Sequence, residues 1–525
     1  MASDPWTFID NPSSQDSRLP PELLVRIFEY LVIHSSPTIL LQICHRWADI
    51  ASSVSSLWSR IDFSTPPAPL LQRCVNRPIQ VILPPSLITP ASDQLRAAKE
   101  VLRLHSDRIC KLALDLPADH LRAIEPEVSG VFPILADVSI SVRHDRYGNL
   151  DITDFPEWKP VATPPSPVRY LRLLLVNTPW IPGRFCNLVE FFLHDQWYSN
   201  LDPTMEVFLG ILESSPQLTV LSVANAGPRL PLDTATLPAA TRVVHLRNLQ
   251  RLYLEQEDAC DIGWMLIHLK IPASANVRIF VDLDYDRRSG VPLRLAFNLA
   301  LPNHPGFPHL TNLYCCTYGV DTRPMCIITT INFTFSITWN TGMHTHFHNF
   351  MMPFLRRAMT TGVIEDLTVI HDQPMRYSTT TLQWDQIFGT LHSLRKLRIR
   401  LSWGSLDFSI WALFESPPSP ALRDLWLTSL VFGKEPWEER DGNQGELVER
   451  LVKFCAERDQ RGYRLEHLVI EDPLDPPPDL SSLLAPYVDH FEIKGENMND
   501  DDIWELEFAS RQAFDFPRAC GWISS

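Results

Sequence analysis

Glycine is scarce in this chain, at 19 of 525 residues against 45 prolines. Phosphate-binding loops and tight catalytic turns depend on glycine, because it adopts positive φ without steric cost. The sequence also has no nucleophile elbow, glycine-rich phosphate loop or HExxH helix. We therefore expect a chain that is not an enzyme and carries no cofactor.

Basic residues are in the minority, since 46 Lys and Arg against 62 Asp and Glu give a formal net charge of −16. Nucleic-acid binding depends on neutralising phosphates, so this balance disfavours it as a main role. No apolar run reaches the roughly 20 residues that a membrane helix needs. The N-terminal residues lack the basic start and apolar core of a signal peptide. We expect an intracellular chain, cytoplasmic or nuclear, that binds neither nucleic acid nor membrane.

Clustered metal ligands and paired cysteines are also missing. The ten cysteines are scattered, with no CxxC pair and one adjacent pair at Cys315 and Cys316, so neither a zinc site nor a disulfide framework is indicated. His344, His346 and His348 alternate as they would on one strand face, a spacing that a metal could use. No carboxylate or cysteine lies near them in sequence. We expect reduced, buried thiols and no metal centre.

What the chain does have is a helical module near its start, at residues 18–63. Pro20 and Pro21 suit a first helical turn, where no backbone donor is needed. An apolar stripe at 3.6-residue spacing predicts the first helix, formed by Leu23, Leu24, Ile27, Phe28 and Leu31. A second stripe predicts a second helix, formed by Ile39, Leu40, Ile43, Cys44, Trp47, Ala48 and Ala51. So small a unit cannot bury all its apolar surface, and a partner or the following domain should cover part of it.

These residues resemble an F-box. The family pattern has a Leu-Pro opening, apolar residues at helical spacing, an Ile-Cys pair with a Trp three residues after the Cys, and a closing Leu-Trp. The matching positions are Leu19, Pro20, Leu23, Ile27, Leu31, Ile43, Cys44, Trp47, Leu57 and Trp58. The chain departs from the pattern at Ser36, where the family usually has Leu.

The resemblance covers under a tenth of the chain. It implies that the ten matching residues carry or support docking on the Skp adaptor of an E3 ubiquitin ligase, and through that adaptor on a cullin. The alternative is that the same apolar residues form only an intramolecular core.

An L-x-x-L-x-L pattern repeats along the rest of the chain, with the last two apolar residues spaced as on one strand face. Its copies begin at Ile109, Leu135, Val168, Leu188, Leu218, Leu249, Leu310, Ile364, Leu394, Leu422, Leu465 and Val488. Two wide gaps hold irregular strand candidates at 277–281 and 332–339. Counting those, the period is about 29 residues, in the range of leucine-rich repeats.

The predicted fold is α/β: a three-helix F-box, then an irregular leucine-rich-repeat solenoid with a curved parallel sheet and outer helices. The predicted divisions are a disordered start (1–17), the F-box (18–63), a stiff proline-rich linker (64–91), the solenoid (92–495) and an acidic tail (496–525). Irregular repeats behind an F-box resemble the large F-box families of fungi.

The turns after the strands lack the asparagine ladder of most leucine-rich repeats. The positions in question hold Val176, Ala226, Glu257, Leu430 and Pro473. Because proline is so abundant, we expect it to carry the turn chemistry instead.

Residues between the paired apolar positions should point to the concave face of such a sheet. They are Arg172, Phe192, Ser222, Tyr253, Tyr314, Thr368, Arg398, Trp426 and Val469. Aromatic and Arg side chains anchor protein interfaces, so the candidate target-binding residues are Phe192, Tyr253, Tyr314, Arg398 and Trp426. The alternative is that aromatic residues simply favour strands.

Lys396, Arg398 and Arg400 alternate along one predicted strand. They could hold an acidic or phosphorylated segment through charge-assisted hydrogen bonds. The alternative is a solvated strand edge.

The leading hypothesis is a substrate-receptor subunit of a Skp-cullin-F-box ligase, which binds an unknown target with its repeats for ubiquitin-dependent degradation. One rival is a scaffold protein whose F-box-like cap enters no ligase. Another is a secreted carbohydrate-active enzyme on a β-helix. That enzyme would need shorter coils, abundant Gly and Asn at turns, and a secretion signal, and none of these is seen.

Overall fold

The computed structural model of the chain describes most of two compact units, residues 1–227 and 228–525, which we call unit 1 and unit 2. Apart from short breaks and a few isolated residues, the described ranges are 19–83, 92–143, 158–159, 167–196, 203–231, 239–282, 312–338, 365–371, 391–400, 419–432 and 444–495. The predicted disordered start and acidic tail lie outside them.

Unit 1 begins with a helical region. It consists of helix α1 (Pro21–His34), a 3-10 helix (Pro37–Gln42), helix α2 (His45–Ser53) and a second 3-10 helix (Ser55–Trp58). The sequence predicts one helix over the second apolar stripe, which is wrong, because the structure has a 3-10 helix before Cys44 and an α-helix after it. Cys44 has an extended backbone (φ −160°, ψ 165°) and its carbonyl accepts the Ala48 amide at 3.0 Å, so α2 starts just after it. The segment before α2 contains β-branched residues, which are weak α-helix formers: Thr38, Ile39 and Ile43.

Residues 64–91, predicted as a linker, instead contain helix α3 (Pro67–Arg73) and strand β2 (Ile79–Leu83). Proline in a first helical turn costs no hydrogen bond, so the prolines here begin a helix rather than prevent one. Strand β2 buries alternate residues and pairs in parallel with the short strand β1 (Arg60–Ile61). Hydrogen-bonded structure thus joins the helical region to the sheet.

Among the described residues of unit 1, seven parallel strands pair in chain order. After β1 and β2 come β3 (Ile109–Pro117), β4 (Asp137–Arg143), β5 (Tyr170–Leu174), β6 (Glu190–His194) and β7 (Val220–Ala224). Helices lie between four pairs of successive strands: α3 between β1 and β2, then α4 (Ser92–Leu104), α5 (Ala118–Val128) and α6 (Met205–Glu213).

The repeated apolar positions of neighbouring strands are in register. Fully buried side chains stand side by side across five strands, at Leu112, Val138, Leu171, Phe191 and Leu221. The strands of unit 1 from β3 onwards therefore lie where the repeat pattern predicts them.

Unit 2 holds a less regular sheet. Its strands are β8 (Val244–His245), β9 (Arg251–Gln256), β10 (Leu269–Lys270), β11 (Asn276–Asp282), β12 (Asn312–Val320), β13 (Arg323–Thr329), β14 (Phe333–Thr338), β15 (Asp366–His371), β16 (Lys396–Arg400), β17 (Asp424–Thr428), β18 (Leu465–Glu471) and β19 (Val488–Lys494). Its described helices of five residues or more are α7 (Ala259–Ile267), α8 (Gln444–Gln460) and α9 (Leu480–Leu484).

The pairing order in unit 2 explains the two wide gaps in the repeat. Strand β9 pairs with β11, and β11 pairs with β14, both in parallel. Strands β12, β13 and β14 then form an antiparallel meander, and β12 returns to pair in parallel with β15. From β15 to β19 the strands again pair in parallel and in chain order. The chain between β11 and β15 thus folds back before the parallel order resumes.

The residue just after a strand adopts a left-handed backbone in several repeats. Positive φ values, between 47° and 60°, occur at Leu175, Asp195, Asn225, Ser429 and Asp472. Four of their amides, all but that of Asn225, donate to the end of the next strand, as when Asp472 donates to the carbonyl of Lys494 at 2.9 Å. The neighbouring positions that usually hold Asn are fully buried here as Val176, Ala226 and Leu430. At these turns a left-handed residue does the work that we had assigned to proline.

Candidate protein-interaction surfaces

Helix α1 carries apolar side chains on two of its faces. Leu24 and Phe28 are fully buried in the core of unit 1. Leu23, Ile27 and Tyr30 follow a second line at i, i+4 and i+7 and are exposed to 48%, 40% and 67%. An exposed apolar line of this kind marks a contact surface. We call these three residues the outer face of α1.

Two isoleucines after α1 extend the exposed apolar surface. Ile39, in the first 3-10 helix, and Ile43, just after it, are exposed to 47% and 45%. Among the described residues, five of the thirteen most exposed large apolar side chains fall between positions 23 and 43. Such a concentration in one short segment is typical of a surface that binds another protein.

A small packed core holds this surface in place. The rings of Phe28 and Trp47 lie 4.7 Å apart between centroids, tilted by 53°. Arg46 of α2 donates to the carbonyl of Leu19 at 2.5 Å, which ties the start of α1 to α2. Leu40 of the first 3-10 helix is fully buried. The exposed side chains therefore stand on backbone that is fixed from within.

Leu57 and Trp58 belong to the joint between the helical region and the sheet. Both are 1% exposed. The indole nitrogen of Trp58 donates to the carbonyl of Ala51 at 2.8 Å, and the guanidinium carbon of Arg73 lies 4.5 Å from its ring centroid. The next residue, Ser59, accepts the amide of Gln80 from β2 at 2.8 Å. Since they are buried, Leu57 and Trp58 can support a docking surface but cannot touch a partner.

The ten positions of the family pattern thus separate by exposure. Those exposed are Pro20, Leu23, Ile27 and Ile43; those half-buried are Leu19, Leu31, Cys44 and Trp47; those buried are Leu57 and Trp58. The first group can form contacts, and the last group builds the scaffold under them.

Two residues of the predicted aromatic row on the strands are buried. Phe192 is 2% exposed and Tyr253 is 5% exposed, which contradicts an exposed row at both positions. Arg172 covers Phe192, with its guanidinium carbon 5.4 Å from the ring centroid, and pairs with Glu190 at 2.5 Å. Both faces of β6 are covered, so residues that alternate along this strand do not alternate between core and solvent. The side chain of Tyr314 lies outside the described residues.

Arg398 and Trp426 are brought together by the register of β16 and β17, where they stand opposite each other. The guanidinium carbon of Arg398 lies 4.9 Å from the Trp426 ring centroid, and the Lys396 ammonium lies 4.6 Å from it. Arg398 is exposed, while Lys396 and Trp426 are half-buried. We call Lys396, Arg398 and Trp426 the cationic cluster. The side chain of Arg400 lies outside the described residues.

Sequence reasoning missed two features of these surfaces. Tyr30 continues the outer face of α1, and its i+7 spacing from Leu23 is the signal that could have found it. The contact between Lys396 and Trp426 depends on a diagonal across two paired strands. Strand register of that kind cannot be read from single-sequence spacing.

Two kinds of feature are missing from the described part of the chain. No group of three or more His, Cys, Asp or Glu side chains there could hold a metal ion. His344, His346 and His348 lie outside those residues. Within the same described ranges, no helix combines the length and the apolar character needed to cross a membrane.

Comparison with known protein families finds a match in the N-terminal region. Residues 16–64 match the protein family described as F-box-like. This range includes α1, α2 and both 3-10 helices of the helical region. A search of curated proteins finds no match to the chain.

Proposed function

We propose that this chain is a substrate-receptor subunit of a Skp-cullin-F-box ubiquitin ligase. The observation that carries the proposal is the outer face of α1, an exposed apolar line on a helix inside the F-box-like domain. On this proposal Leu23, Ile27 and Tyr30 pack against the Skp adaptor, with Ile39 and Ile43 extending the contact. The buried pair Leu57 and Trp58 holds the docking surface against the sheet.

The parallel strands after the F-box-like domain would act as a leucine-rich-repeat arc that holds the target protein. Their support is the in-register stacking of apolar positions and the left-handed residue that follows five of the strands. Both features are typical of stacked repeats, which present an extended surface to a partner. The resemblance to fungal F-box families rests on the sequence alone.

On this proposal the chain contributes position rather than catalytic groups. F-box domains are typically adaptors without catalysis, and the transfer chemistry would belong to separately recruited subunits. The receptor raises the effective concentration of the target near the conjugating enzyme. The secreted β-helix enzyme is disfavoured by the helices that lie between successive parallel strands.

The scaffold alternative is tested by reconstitution of the full chain with purified Skp adaptor, cullin, and the ubiquitin-activating and conjugating enzymes. A receptor should assemble with both subunits, and lysines of the receptor itself should acquire ubiquitin. A variant with Leu23→Asp and Ile27→Asp should lose assembly and modification together. A chain that binds the adaptor but admits no cullin would instead be a scaffold.

A further inference from the structure

The cationic cluster of unit 2 lies on the face of the sheet opposite the buried leucines. Leu397 and Leu425, which flank its members in sequence, are fully buried. Residues that alternate along a strand point to opposite faces, so Lys396, Arg398 and Trp426 share the other face. Their immediate cross-strand neighbours there include Thr368 beside Arg398 and Val469 beside Trp426.

The guanidinium of Arg398 is held by Trp426, and no described residue forms an ion pair with it. Its contact with the Trp426 ring restricts the long side chain, because a planar guanidinium stacks on an aromatic face. Among the described residues, Arg398 donates no hydrogen bond and joins no ion pair within 4.0 Å. No described residue occupies its N–H donors, so an outside acceptor could use them at a reduced entropic cost of ordering the side chain.

The acidic residues nearest to the cluster compensate its charge only in part. Asp424 is engaged from the other side, since His467 lies 2.7 Å from its carboxylate. Asp366 stands opposite Lys396 in the pairing of β15 with β16. The pKa of the Asp366 carboxyl is raised overall, because burial outweighs the Lys396 and Arg398 charges that lower it and the Asp424 charge adds to the rise. Neither carboxylate bridges Lys396 or Arg398 within 4.0 Å.

We propose that Lys396, Arg398 and Trp426 form a binding site for an extended acidic segment of the target protein. A carboxylate or phosphate on that segment would accept parallel hydrogen bonds from Arg398, with Lys396 as a second positive charge. The exposed part of the Trp426 ring would pack against the neighbouring side chain of the segment. This inference rests on the proposed function, because it names the class of target that the receptor holds.

Charge complementarity favours an acidic peptide over a polynucleotide. Lys396 and Arg398, which no described carboxylate bridges within 4.0 Å, are enough for one or two oxyanions, and the whole chain carries a net charge of −16. That charge opposes the long anionic backbone of a nucleic acid, which depends on many phosphate contacts for affinity. A short acidic segment carries fewer negative charges than a long nucleic acid and is therefore repelled much less.

The test uses the full chain and three fluorescent probes of equal length: decaglutamate, a peptide alternating glutamate with phosphoserine, and a ten-residue oligothymidylate. Fluorescence anisotropy gives the affinity for each probe at fixed salt. The variant Arg398→Glu should weaken binding of an acidic peptide by about tenfold or more. Arg461→Glu is the matched control, since Arg461 is an exposed arginine just after the end of α8 and the change of charge is equal. It should change the affinity less than about twofold.

Each outcome decides something. Binding of both peptides assigns the site to carboxylates, and binding of the phosphoserine peptide alone assigns it to phosphate. The proposal is overturned if neither peptide binds, if both arginine variants weaken binding equally, or if oligothymidylate binds as well as the peptides and with the same loss in Arg398→Glu. Adaptor binding is measured separately through α1, so failure here leaves the proposed ligase role standing, and failure there leaves this site standing.

Discussion

Arg458 of α8 is a fully buried arginine whose side chain holds the turn before β17 by hydrogen bonds to its backbone. Its two terminal nitrogens donate to the carbonyls of Ser419 and Leu422, at 2.9 and 2.7 Å, just before strand β17. Its guanidinium carbon lies 5.7 Å from the ring centroid of Phe454. Burial lowers the pKa of Arg458 to about 10, so the side chain still carries its charge at neutral pH. A helix later in the chain thereby satisfies two backbone acceptors in the turn before β17.

The variant Arg458→Met should lower the free energy of unfolding by about 3 kcal/mol, because two buried carbonyls lose their donors. Urea unfolding followed by circular dichroism measures the loss. The control is Arg461→Met just after the end of that helix, where an exposed ion pair with Glu457 should be worth less than about 0.5 kcal/mol. Equal effects of the two substitutions would contradict the structural role of Arg458.

His194 on β6 is a buried histidine whose pKa is lowered by burial from 6.5 to about 4. Its Nε2 lies 2.7 Å from the hydroxyl oxygen of Ser222 on β7. As the pH falls below 6.5, His194 becomes protonated in the unfolded chain but stays neutral in the folded chain until about pH 4. The stabilisation is therefore complete above pH 6.5 and is lost as the pH falls towards 4.

The wild-type chain should lose about 1.4 kcal/mol per pH unit across that window through His194 alone, or about 3 kcal/mol in all. The measurement is the difference in unfolding free energy between the wild type and His194→Gln at several pH values. The difference should shrink as the pH falls from 6.5 to 4. A substitution at the exposed His392 serves as the control and should leave the pH dependence unchanged.

At the scale of the elements, the positions of most strands could be predicted from sequence, but the pairing of some strands and the exposure of their side chains could not. Fourteen predicted strands, twelve from the repeat pattern and the two candidates in its gaps, coincide with observed strands because the L-x-x-L-x-L spacing reports directly on a buried strand face. Strands β1, β2, β8, β10 and β13 carry no such pattern. The antiparallel course of β13 depends on pairing between residues distant in sequence.

Exposure was harder to predict than position. The sequence pattern gives alternate residues of a strand to opposite faces, but it does not say whether the second face is open. Phe192 and Tyr253 are buried where an open face was expected, whereas Arg398 is exposed. On α1, the pattern merged Leu23 and Leu24 into one stripe, although the structure separates them into an outer and an inner face.

A substitution at Trp58, between α2 and β1, tests whether this residue only supports the docking surface or contacts the adaptor itself. The variant Trp58→Phe keeps most of the buried ring but loses the hydrogen bond to Ala51, and should cost about 1 kcal/mol of unfolding free energy. Adaptor affinity, measured on the folded variant, should stay unchanged because Trp58 is buried. A large loss of affinity without a loss of stability would mean that Trp58 itself meets the partner.

At the scale of the whole molecule, the two candidate surfaces belong to different units. The outer face of α1 lies in unit 1, and the cationic cluster lies in unit 2. If the proposed function holds, substitutions in unit 1 should affect adaptor binding alone and substitutions in unit 2 should affect target binding alone.

The most direct test of the account is a calorimetric titration of the full chain with purified Skp adaptor. The wild type should bind, and Leu23→Asp with Ile27→Asp should weaken binding at least about a hundredfold, since two apolar contacts become buried charges. A matched control, Leu104→Asp with Ile181→Asp, changes two other exposed apolar residues of unit 1 and should bind as the wild type does. Because all four residues are exposed, the variants should unfold within about 1 kcal/mol of the wild type. No binding by the wild type, or equal binding by the two double variants, would contradict the claim that the outer face of α1 docks the adaptor.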